Sequence, residues 1–188
     1  MTLRFDVMNI EPRIWRVLRV PANLRLAELH RVLQMVMGWS NRHPHIFEIA
    51  GRAAGAPTRA LEACSCWRTL GDENVTVATA LASAPQGFRY SYDAPVGWRV
   101  RITRAPGVWR GVAKSSISCL DGYLAGPRDD FNGPSAYSAI LAATLGRARA
   151  LTAEERQWLG PNFDPELFDR CAINRALAQL CELTGADP

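Results

Sequence analysis

Residues 10–49 read IEPRIWRVLRVPANLRLAELHRVLQMVMGWSNRHPHIFEI. Residues 14–20, rich in β-branched and aromatic side chains, have the composition of a strand that Pro21 ends. Asn23 is a predicted helix cap, its side-chain oxygen taking an orphan backbone N–H. Leu26, Leu29, Leu33 and Val36 then share one helical face, with Arg25, Glu28 and Arg31 off it. Gly38 stops that helix. A strand is expected over residues 45–50. Upstream, Leu3, Phe5 and Val7 alternate with Arg4 and Asp6, the period of a half-buried strand.

Downstream, Phe88, Tyr90 and Tyr92 alternate with Arg89 and Ser91, and Trp98, Val100 and Ile102 with Arg99 and Arg101. The short link over residues 94–97 makes these two runs a hairpin, aromatics on one face and arginines on the other. Residues 51–74 read as loop with room for one short turn of structure, and residues 75–82 fit a short helix or a strand equally well. The Gly, Pro, Asp and Ser of residues 104–133 read as mostly loop. Helices are expected over 134–145, after Thr152, after Asp164-Pro165 and after Asp169. Strands first and helices last argue for an α+β fold. We expect a mixed, largely antiparallel sheet packed by the N-terminal amphipathic helix and the C-terminal helices. One domain spans 1–188, sheet-rich over 1–105 and loop-and-helix over 106–188.

The chain has 188 residues, 48% apolar and 21% charged, with a net charge of +4. A chain of this length buries roughly 70% of its unfolded surface and needs no metal or disulfide to fold. No apolar run approaches the roughly 18 residues of a membrane span. The N-terminus lacks the charged-then-apolar layout of an export signal, so a cytoplasmic location without membrane partners is expected. The cysteines are Cys64, Cys66, Cys119, Cys171 and Cys181; their odd number is not that of a disulfide scaffold. Lys114 is the sole lysine. Arginine suits phosphate recognition, but the same bias follows from a GC-rich coding sequence. No phosphate-cradling glycine loop and no nucleophile elbow is present.

Several spaced motifs resemble the plasmid pRiA ORF-three-like family, whose members are often labelled TnpR-like passenger proteins of insertion elements. They are Pro12, Ile14, Trp15 and Arg16; Leu26, Leu29, His30, Gln34, Gly38 and Trp39; and His43, His45 and Phe47. Phe88, Tyr90, Tyr92, Asp93 and Trp98 follow, then Asp129, Asp130, Gly133 and Tyr137. The last set is Phe163 to Glu166, Phe168, Asp169, Asn174 and Leu177. The resemblance runs nearly end to end and implies the fold; it implies no reaction, the family's role being unsettled. No activated serine among arginines supports recombinase chemistry. This chain departs from the family at polar positions: Pro95 and Val96 stand in the hairpin link, Val100 replaces a histidine, and Gly126 and Arg128 replace a cysteine and a proline.

Two imidazoles spaced as His43 and His45 share a face if both lie on a strand. With a carboxylate they suit a divalent transition metal or proton transfer. A polar cleft is therefore expected, with His43, His45, Asp93, Trp98, Asp129, Asp130 and Tyr137 as candidate ligand-binding residues and His43 and His45 as candidate metal ligands. Pro44 and the lost histidine at Val100 weaken that site. His30 and Gln34, four apart on a helix, are expected to bond each other or the sheet. Arg89, Arg99 and Arg101 are candidate phosphate-binding residues, although no aromatics interleave with them, and single-strand binders normally need that stacking platform. The expectation is a non-enzymatic binding or interaction domain with no cofactor, whose partner is a protein or a small molecule. The alternatives are a metal- or acid–base-dependent enzyme using His43/His45 and Asp129/Asp130, and a nucleic-acid-associated accessory protein of mobile elements.

Overall fold

Alternation of buried and outward residues builds the sheet, and a computed structural model of the protein describes it over residues 1–55, 69–93, 97–107, 117–129, 133–147 and 149–184. The strands are β1 Thr2–Val7, β2 Trp15–Arg19, β3 His45–Ile49, β4 Arg52–Ala54, β5 Thr69–Leu70, β6 Phe88–Tyr92, β7 Trp98–Arg104 and β8 Ser118–Tyr123. They form one sheet in the order β5-β4-β3-β6-β7-β1-β2-β8. Every described pairing is antiparallel except β4 with β5. The helices are α1 Leu26–Met37, α2 Val77–Ser83, α3 Pro134–Thr144, α4 Ala153–Leu159 and α5 Arg170–Thr184. The fold is the expected α+β arrangement, a mixed and largely antiparallel sheet packed by helices.

Leu3, Phe5, Val7, Leu18, Phe47, Tyr90, Tyr92, Trp98, Val100 and Ile102 are buried on one sheet face. Helix α1 lies there, burying Leu26, Leu29, Val32, Leu33, Val36 and Met37. Its N-terminus is satisfied without Asn23: the Leu26 N–H donates to Val75 O, and the Arg25 N–H donates to the Glu28 carboxylate. At its other end Gly38 adopts φ 74°, a left-handed conformation natural to glycine, and the Trp39 N–H turns back to Gln34 O.

One charged residue sits inside this apolar face. Arg16 lies opposite Phe5 in the β1–β2 register and is 2% exposed. Its guanidinium donates to Val36 O at 3.2 Å, Trp15 O at 2.8 Å and Tyr123 O at 3.0 Å. The Phe168 ring lies 4.9 Å from its Cζ. Val36 belongs to the last turn of α1, so the cation meets the negative end of the helix. Burial lowers the Arg16 pKa to about 10, which leaves it charged at neutral pH. Gly122 stands beside it on β8, where a Cβ would come within 2.6 Å of the Phe168 ring.

Several local expectations are corrected. The region read as loop with room for one short turn over 51–74 also contains β4 and β5, the turn being the 3-10 segment Asp72–Asn74, and residues 75–82 resolve into α2. Strand β8 lies inside the expected loop of 104–133 and the expected helical half, paired to β2. Asp164-Pro165 starts no helix. There the Asp164 carboxylate accepts only the Glu166 N–H in a local turn, while Asp169 caps α5 through the Ala172 N–H. The hairpin link with Pro95 and Val96, together with Cys64, Cys66 and Asp130, lies outside the described residues.

Gly126 marks where the segment after β8 presses on α1. A Cβ there would overlap the Met37 carbonyl oxygen, and backbone cannot swing aside as a side chain can. Gly126→Ala is expected to destabilise the protein by about 1–3 kcal/mol, read as a lower urea midpoint at unchanged m-value.

Candidate functional site

The α1 helix places His30 and Gln34 one turn apart, facing Tyr90 of β6. Tyr90 Oη lies 2.7 Å from His30 Nδ1 and 2.9 Å from Gln34 Nε2. Asn41, just after the helix, places its Oδ1 2.7 Å from His30 Nε2, and its backbone N–H meets Gln34 Oε1 at 2.9 Å. These contacts close a ring. Its direction follows from one group, because a backbone N–H can only donate. Gln34 Oε1 therefore accepts and its NH2 donates to Tyr90. The Tyr90 hydroxyl then donates to His30 Nδ1, which puts the imidazole proton on Nε2, aimed at Asn41 Oδ1. His30 is thus a neutral imidazole of defined tautomer. Burial, with His45 nearby, lowers its pKa to about 4, and burial likewise raises that of Tyr90.

His45 opens β3 and stacks on His30, ring centroids 3.6 Å apart and 6° from parallel. Its Nε2 lies 2.7 Å from Asp72 Oδ2, with the two side chains 11% and 8% exposed. The hydrogen bond from His45 holds the Asp72 carboxyl below the usual carboxylate range. Asp72 comes from the 3-10 turn within the expected loop, and no sequence signal points to it.

A second cluster adjoins the first. Trp39 stacks on Tyr92 at 5.0 Å, and its indole N–H donates to Pro127 O. The Tyr92 hydroxyl accepts from the Arg42 N–H at 3.0 Å and donates to Asp129 at 3.4 Å. Asp129 also accepts the Ser40 N–H at 2.7 Å and the Ser40 hydroxyl at 2.5 Å. Burial pushes the Asp129 carboxyl up, but these Ser40 bonds pull it down further, so its net shift is downward. At the rim, His43 Nδ1 lies 3.2 Å from Asp93 Oδ1, the side chains 35% and 38% exposed.

His43, Asp93 and Asp129 therefore gather around Tyr92, while His45 joins them only through the His30 and Tyr90 rings. The imidazoles do not share a strand face: Pro44 delays β3, His43 precedes it, and each ring meets a different carboxylate. Among the described residues no three His, Cys, Asp or Glu side chains are grouped to hold a metal ion. Trp98 and Tyr137, expected at the cleft, are core residues at 1% and 0% exposure, packed edge to face at 5.8 Å. Val100 is likewise fully buried. Arg128 lies over the Trp158 ring at 4.4 Å. Ser40 bonds to a carboxylate, and no imidazole is placed to activate it.

The ring makes two testable demands on stability. Tyr90→Phe strands His30 Nδ1 and the Gln34 amide together and should lower unfolding free energy by about 1–3 kcal/mol in urea titrations. The pH dependence is also set. The folded pKa of His30, about 4, lies below its ordinary 6.5, so its contribution is complete above pH 6.5 and declines as pH falls toward 4. The decline should total roughly 3 kcal/mol and vanish from the pH profile of His30→Gln. Asp72 and Asp129, with depressed pKa values, lose their contributions only below that window.

No helix among the described residues is long and apolar enough to cross a membrane. A family model described as "Plasmid pRiA4b ORF-3-like protein" matches residues 1–172. The uncharacterised protein y4hQ of Sinorhizobium fredii (strain NBRC 101917 / NGR234) is 28% identical over 187 residues, covering 95% of this chain and 90% of that protein. A crystal structure of a protein of unknown function, MM3350 from Methanosarcina mazei Go1, superposes with a TM-score of 0.73 at 26% identity. That likeness covers 90% of this chain and 94% of the other. With the family match spanning both polar clusters and the whole sheet, this chain belongs to the plasmid pRiA4b ORF-3-like family, whose function is uncharacterised.

Proposed function

We propose that the protein is a non-enzymatic binding domain of the cytoplasm, whose ligand or protein partner meets the rim made by Ser40, Arg42, His43, Asp93 and Asp129. The carrying observation is the closed ring of Gln34, Tyr90, His30 and Asn41. A general base needs a proton acceptor facing substrate. Here the acceptor nitrogen of His30 takes the Tyr90 proton, and the Ser40 hydroxyl is held by Asp129. The ring and the stacked imidazoles hold the rim in one shape, and preorganisation of that kind favours recognition. Within the rim, the His43–Asp93 pair is the one a ligand reaches without breaking the ring. Free thiols at Cys119 and Cys171 suit a reducing compartment. A link to mobile elements rests on the label attached to the family.

The competing reading is a metal-dependent enzyme built on His43 and His45. Elemental analysis after dialysis against zinc, iron(II) and manganese separates the two. The binding reading predicts substoichiometric metal, unchanged in His45→Ala. Metal near one per chain, lost in His45→Ala but kept in Arg99→Gln, would transfer the assignment to the enzyme.

A further inference from the structure

The sheet face opposite α1 carries a row of residues that is invisible along any single strand. Register places Glu48, Arg89, Arg101, Asp6, Trp15 and Tyr123 side by side on β3, β6, β7, β1, β2 and β8. Arg99 lies two residues from Arg101 on the same face, opposite Ser91. One half of the row carries two arginines beside Glu48, and the other carries two aromatics beside Asp6.

The acids of the row are already engaged. Glu48 pairs with Arg89 at 2.6 Å, and Asp6 pairs with Arg4 at 2.8 Å. Arg99 and Arg101 are exposed, and among the described residues neither guanidinium is ion-paired, although Asp6 stands beside Arg101 in the register. Arg89 and Arg101 stand directly opposite each other as like charges, with Glu48 on the far side of Arg89 and Asp6 on the far side of Arg101. Toward the other edge Tyr123 is 40% exposed, and the Arg4 guanidinium lies 4.4 Å over the Trp15 ring. A cleft of about 670 Å³ adjoins the row, lined by Asp6, Met8, Arg13, Arg101 and Thr103 among others. Such a volume suits a small organic group.

A ligand that uses both halves needs anionic groups beside flat, stackable ones. An acidic peptide supplies the charges but nothing for Tyr123. Duplex nucleic acid supplies phosphates but keeps its bases stacked on each other. We propose that this face binds single-stranded nucleic acid, with phosphates on Arg89, Arg99 and Arg101 and bases stacked on Tyr123 and on the Arg4–Trp15 deck. Aromatic rings and guanidinium planes are both platforms for unstacked bases. From β6 to β8 the row spans about 19 Å, at the short end of the footprints such platforms cover. The site lies on the face opposite Tyr90 and Tyr92, so it stands or falls independently of the rim.

Fluorescence anisotropy with a short labelled oligothymidylate, across salt concentrations, tests this directly. Three neutralised phosphates should give a log Kd that rises with log salt at a slope of about 2. Arg99→Gln/Arg101→Gln should cut that slope to about 0.7. Tyr123→Ala should weaken binding roughly tenfold at an unchanged slope. Tyr123→Leu should behave the same, and it keeps apolar area on the edge strand should the alanine variant fold poorly. A duplex of matched length and polyglutamate should both bind more weakly than the single strand. The proposal is overturned if the oligonucleotide fails to bind at low salt, or if the arginine variant keeps the full slope. It is equally overturned if both Tyr123 variants bind as the parent does, or if duplex or polyglutamate binds as tightly as the single strand.

Discussion

The Asn41 backbone N–H is the constraint on which the polar interior depends. It can only donate, and that single fact orders Gln34, Tyr90 and His30 into one directed ring. Buried polar groups in a closed ring satisfy one another without water, whereas a partly satisfied set would be worse than an apolar core. The neutral imidazole that results gives His45 a flat, uncharged ring to stack on. With His30 charged, the stack would hold a buried cation face to face with the His45 ring. Two histidines in van der Waals contact are tolerable here because the ring decides the charge of one of them.

A second constraint closes the same helix at its far end. Arg16 enters an otherwise apolar sheet face because the last turn of α1 and the β8 backbone offer carbonyls to its guanidinium. A buried cation without such partners would be strongly destabilising. The two glycines beside it serve that closure: Gly122 leaves room for Phe168 over the guanidinium, and Gly126 lets the following segment touch Met37. Helix α1 is thus tied to the sheet by Tyr90 in its middle and by Arg16 at its end, with the rim residues beginning immediately after Gly38.

The elements with strong period are legible in the sequence alone. Strands β1, β6 and β7 and helix α1 repeat apolar residues at their own spacing, and those residues are the buried ones; β2 is legible from its β-branched and aromatic composition, although it buries Arg16, Val17 and Leu18 in succession. Strands β5 and β8 are not legible, because Thr69–Leu70 and Ser118–Tyr123 owe their conformation to partners distant along the chain; β4, Arg52–Ala54, pairs locally with β3 across Ala50-Gly51 but is too short to show a period. The same limit applies to the site. His30 and Gln34 read as a helical pair that reaches the sheet or each other only because their spacing is local; Asp72 carries no pattern that points to His45. Trp98 and Tyr137 read as cleft residues because they belong to the same family motifs as Asp93, Asp129 and Asp130, yet both are buried in the core. The outer row of Arg89, Arg101, Trp15 and Tyr123 depends on register across five strands, which no reading along one strand supplies.

Long-range nitrogen–proton correlation NMR of the His30 ring tests the central claim most directly. The account predicts a protonated Nε2 and an unprotonated Nδ1 that persist as pH is lowered through the ordinary histidine range. An imidazole protonated on Nδ1, or one that becomes cationic near pH 6.5, would contradict it.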